Sequence, residues 1–124
     1  MPNEFNLEGE WQAFQSNGWT TTFFLTQSIP SPPSPADQRT KLSGSARAVH
    51  PDVGLIHADT VTGRLDRGPG ASGQQFILEV NWSNATGVYT GTFGLDKRLS
   101  GVAFDKDHPT NVASWTSAKP FTTF

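Results

Sequence analysis

From Gln74 to Asp105 the chain reads QQFILEVNWSNATGVYTGTFGLDKRLSGVAFD, and its polarity alternates. Phe76, Leu78, Val80 and Trp82 fall on one face of an extended chain, with Ile77, Glu79 and Asn81 on the other. That period of two, over a composition rich in β-branched and aromatic residues, predicts a half-buried strand. Ser83 to Thr86 supply turn residues, Val88 to Phe93 a second strand, Gly94 to Lys97 another turn, and Arg98 to Asp105 a third strand. Strands joined by so few residues pair antiparallel, because a parallel return needs a crossover of about a dozen residues.

The rest of the chain repeats the pattern. Leu7 to Phe14, Trp19 to Gln27, Lys41 to His50, Ala58 to Asp66 and Asn111 to Ala118 are expected as strands, with connections at Ser16 to Gly18, Pro51 to Gly54 and Lys106 to Thr110. No segment shows the recurrence at three and four of an amphipathic helix. The sum is about eight strands in one domain over residues 1 to 124. Ser28 to Gln38 carries four prolines in eleven residues, which excludes helix and sheet interior and reads as a surface loop rather than an SH3-type ligand. Arg67 to Gly73 is rich in glycine, but neither GK[ST] nor a helix follows, so it is not a phosphate cradle.

An apolar residue, then Ser, Thr or Glu, then Gly recurs at Leu7 to Gly9, Leu42 to Gly44, Val61 to Gly63, Tyr89 to Gly91 and Leu99 to Gly101. Glycine weakens a strand interior, so its repetition marks sharp bends or close backbone approach, as in a small closed barrel. Turn positions at strand ends are the alternative. The fold expected is all-β, a single-domain, eight-stranded, antiparallel up-and-down barrel whose lumen has room for one small ligand.

Charge narrows the partners. Charged residues make up 16% of the chain and the net charge is −2, so no basic field is present to hold nucleic acid. No apolar run approaches a membrane helix, and MPNEFNLEGE lacks the features of a secretory signal, so neither a membrane nor a particular compartment is indicated. With no cysteine there is no disulfide, thiolate metal site or Cys nucleophile.

The chain resembles the avidin and streptavidin family. The resemblance is carried by Gly9-x-Trp11 in the first strand, Leu42-Ser-Gly44 in the third, FILEVNW in the fifth, Tyr89-Thr-Gly91 in the sixth, and the terminal Ala-Ser-Trp115 followed by Phe. It spans about Leu7 to Phe121, and lipocalins share the first motif. It implies an eight-stranded barrel, often a homo-oligomer, with a small molecule held at one open end between aromatic walls. The family's biotin site is incomplete here: Ala13 and Ala46 stand where the ureido oxygen would meet an asparagine and a tyrosine, and only Ser16 or Asn17 approximates the expected serine. Trp11, Asn17, Phe76, Tyr89 and Trp115 are the ligand-binding candidates that follow.

Catalytic constellations are sparse. His57 and Asp59 share a face but lack a third metal ligand. Glu79 becomes an acid or base candidate only if its face lines the lumen, and alternation favours water there. The functional expectation is therefore a barrel without cofactor that binds a small hydrophobic or amphipathic molecule or a carbohydrate. The alternative is a small barrel enzyme of the cyclase or isomerase type, marked by a lumen that takes in Glu79, His57 or Arg64.

Overall fold

The computed structural model describes residues 5–28, 39–66, 74–83 and 85–122. Its strands are β1 (Gly9–Gln15), β2 (Thr20–Ser28), β3 (Arg39–His50), β4 (Gly54–Asp66), β5 (Gln75–Trp82), β6 (Ala85–Phe93), β7 (Leu99–Asp105) and β8 (His108–Ser117). Each pairs antiparallel with the next, and β1 pairs with β8, which closes an eight-stranded up-and-down barrel. Closure leaves no strand of the barrel without a partner on either side, although Gly54–Ala58 of β4 pair with β3 alone. The Pro-rich 29–38 and Gly-rich 67–73 segments, both read from the sequence as loops, lie outside the described residues.

Three strand starts differ from the sequence expectation by three residues or more. β4 begins at Gly54 rather than Ala58, because β3 and β4 stay paired beyond the last β4–β5 partner pair, Val61↔Val80, from Ala46↔Ala58 up to His50↔Gly54. β6 begins at Ala85, inside the stretch read as a turn, since Trp82↔Ala85 already pair. β8 begins at His108, two residues after the Lys106 turn, with Pro109 near its exposed start, where a missing N–H breaks little of the ladder.

The period of two survives as inside and outside. In β5, Phe76, Leu78 and Val80 are fully buried, while Ile77 and Glu79 are half-exposed. Glu79 therefore lies on the outer wall, 3.3 Å from Lys106 Nζ. His57 and Asp59 are exposed as well; the register shifts opposite Ser45, placing both Asp59 and Thr60 outside. Among the described residues there is no cluster of three metal-capable side chains.

Inward residues are large at one end of the barrel. Leu7, Leu25, Leu42, Leu65, Leu99 and Phe121 pack there, with Phe5 stacked on Phe93 at a centroid distance of 3.8 Å. The Gln27 amide clamps the entering chain across this end, accepting from Leu7 N at 2.7 Å and donating to Phe5 O at 2.9 Å. Above this layer Trp11 is the hub, 4.9 Å from Phe23, 5.8 Å from Phe76, 6.4 Å from Trp115 and 5.0 Å from Phe121, centroid to centroid. Its indole N–H donates to Leu7 O at 3.0 Å, so the polar atom is satisfied where the ring is buried.

The strand glycines make room for these rings. Phe76, Gly91, Gly101 and Trp115 form one cross-strand row, and the two outer rings come within 5.7 Å of each other across the glycine backbones. A methyl on Gly101 would lie 1.9 Å from Thr90 O, and one on Gly91 3.0 Å from Trp115 Cζ2. Gly44 and Gly63 show the same close approach, to backbone oxygens at 1.9 Å and 2.1 Å. Gly9 alone of the five repeats has open space around it, at the start of β1.

Candidate functional site

Toward the other end the inward positions shrink. Ala13, Ala46, Ala48, Ala58, Ala103 and Ala113 are all buried, and Ala48, Ala103 and Ala113 line this end. Each methyl fills little of the space that a Leu or Phe fills below, so the barrel opens into a cup of about 580 Å³. That volume lies within the range of small-molecule sites, about 300 to 1,000 Å³. Among the described residues short hairpins border the mouth, because β1–β2, β3–β4, β5–β6 and β7–β8 all turn at this end.

The wall is aromatic on two sides. Trp19, from the β1–β2 turn, and Trp82, at the top of β5, both line the cup and are half-buried. Trp82 reaches across the strand toward Gly87, where a methyl would lie 3.0 Å from its Nε1. Trp19 is braced by His50, 5.2 Å away between centroids. Asp52 N–H donates to His50 Nδ1 at 3.0 Å, so that nitrogen carries no proton and Nε2–H donates to Asn17 O at 3.2 Å. His50 thereby holds the turn that places Asn17 and Trp19 at the rim.

The floor is polar and neutral. Tyr89 puts its ring among Phe23 and Trp115, at centroid distances of 5.1 Å and 5.9 Å, and its hydroxyl into the cup. Gln15 Nε2 donates to that hydroxyl and, at 2.8 Å, to Thr21 Oγ1, which itself lies 2.9 Å from Tyr89 Oη. Burial raises the Tyr89 pKa above its ordinary value of 10.0, and the bonds with Thr21 and Gln15 only partly counter it. The phenol is therefore a neutral donor and acceptor at physiological pH. Asp105 is the charged residue of the lining, and its carboxylate is engaged at the rim by Asp107 N at 2.9 Å and His108 Nδ1 at 3.4 Å.

Of the residues singled out from the sequence, Asn17 and Tyr89 line the cup. Trp11, Phe76 and Trp115 lie below it in the packed core, at 3%, 0% and 2% exposure, and Trp115 packs against the Tyr89 ring. The expected clustering of Trp11, Tyr89 and Trp115 is observed, as core rather than as an open wall. Glu79, His57 and Arg64 are not among the lining residues. Gln15, Thr21, Trp19 and Trp82 were missed. Gln15 carried a usable signal, a polar residue at the same parity as Trp11 and Ala13, and Trp82 was already on the inward face of its strand.

No protein-family model, curated protein or solved structure matches the chain.

Proposed function

We propose that this barrel binds a small, largely apolar molecule in its open end and performs no chemistry on it. The observation that carries the reading is the taper: bulky inward residues seal one end, while alanines leave an aromatic-walled cup with a neutral polar floor at the other. A concave, mostly apolar cavity with a few convergent polar groups is the usual form of a ligand site. The enzyme alternative looked for Glu79, His57 or Arg64 in the lumen, and the cup takes in none of them. A carbohydrate is the second reading, favoured by Asn17, Asp105 and Asn111 around the rim beside two indoles. Kinship with avidin and streptavidin, and assembly into a homo-oligomer, belong to the same proposal. Tight biotin binding does not, because the resemblance puts Ala13 and Ala46 where the ureido oxygen would need donors, and a methyl group donates nothing.

Titration with the neutral dye Nile red tests the reading. Saturable binding with enhanced fluorescence is expected, one dye per barrel. Ala103→Phe, which fills the cup without touching the packed end, should abolish binding while the circular dichroism stays unchanged. A dye that does not bind, or that binds equally well to the filled variant, would remove the cup as the site.

A further inference from the structure

Three contacts join Gln15, Thr21 and Tyr89 at the bottom of the cup, and each needs one proton. With the amide nitrogen facing the hydroxyls, its two N–H groups serve two contacts and one hydroxyl serves the third. Two hydroxyl protons exist, so one is left over. The reversed amide fails this count: an oxygen in that position takes both hydroxyl protons and leaves the 2.9 Å Thr21–Tyr89 contact with none. The neighbours therefore fix the amide, and its Oε1 is an acceptor to which no described residue donates. The floor thus offers one spare O–H donor beside one spare carbonyl acceptor, and it carries no formal charge.

We propose that this floor recognises a neutral carboxamide on the buried end of the ligand. The leftover hydroxyl proton is donated to the ligand's carbonyl oxygen, and Gln15 Oε1 accepts the ligand's N–H. A carboxylate of the same shape has no proton for Oε1 and finds no cation at the floor. An ammonium has no acceptor for the hydroxyl and leaves it unpaired, which is the situation that polar sites reject most strongly. The assignment rests on the ligand-binding reading above.

The test uses naphthalene-2-carboxamide, naphthalene-2-carboxylate and naphthalen-2-ylmethylammonium, titrated calorimetrically at pH 7 alongside Nile red. The carboxamide is expected to bind at least tenfold tighter than either charged probe. Gln15→Met, which keeps the length and removes both amide functions, should shrink that advantage to less than threefold. Tyr89→Phe keeps the ring packing and should also narrow the advantage, which covers the case in which Gln15→Met does not fold. Equal affinities for the three probes, a preference that survives both variants, or a carboxamide excluded from a cup that takes Nile red would each overturn the assignment. Loss of Nile red binding in the wild-type protein speaks instead against the cup, so the two failures are distinguishable.

Discussion

Tyr89 is the chain's one tyrosine, so its titration is read without interference. Burial holds its proton in the folded state beyond pH 10, while in the unfolded chain it leaves near the ordinary value. The unfolded state therefore binds fewer protons as pH rises past 10. Stability that is fully present below that pH falls as pH climbs toward the folded-state pKa. Tyrosinate absorbance near 295 nm should show a midpoint above 10, and Tyr89→Phe should lose this alkaline sensitivity. A midpoint at or below 10 would mean that the phenol is not buried in solution. At this scale the sequence showed which way a side chain faces but not its height along the barrel axis. Trp11, Phe76 and Trp115 have the inward parity of a ligand wall, and only their burial in the folded barrel reveals that they lie below the cup.

Strand order and pairing were legible because each strand alternates and each turn is short, so neighbouring elements have little choice of partner. The glycine repeat was legible as well, since a residue that weakens strands is kept where nothing larger fits. Gly101→Ala makes that quantitative: the added methyl meets the Thr90 carbonyl oxygen at 1.9 Å, a backbone atom that cannot rotate away. Destabilisation of about 1 to 3 kcal/mol is expected from such overpacking. The exposed neighbour Ser100→Ala should stay within about 0.5 kcal/mol. Urea midpoints of the two variants decide the matter, and equal midpoints would refute the close approach. The starts of β4, β6 and β8 were less legible, because paired ribbons extend into residues whose composition reads as turn.

Over the whole molecule, the two ends have divided their tasks. The packed end holds Phe5–Leu7, clamped by Gln27, together with the ends of β2 and β4 and the starts of β3 and β5, while among the described residues the cup is bordered by hairpins. Replacing residues 29–38 with a short Gly/Ser connector is therefore expected to leave Nile red affinity within twofold. A tenfold loss would place the entry of the ligand at the wrong end. The closing seam has a further consequence, in time rather than in space. β1 meets β8 along Ala13–Gln15, and Ser114 N reaches Ser16 Oγ across 98 positions of sequence. During synthesis the barrel's first strand thus waits for its eighth, and Trp115, which completes the ring cluster around Trp11, arrives with that strand. Contacts so distant in sequence cost loop-closure entropy before they return any stability. Until β8 has emerged, the barrel's strands therefore have two bare margins, and they become a vessel only once that strand is in place.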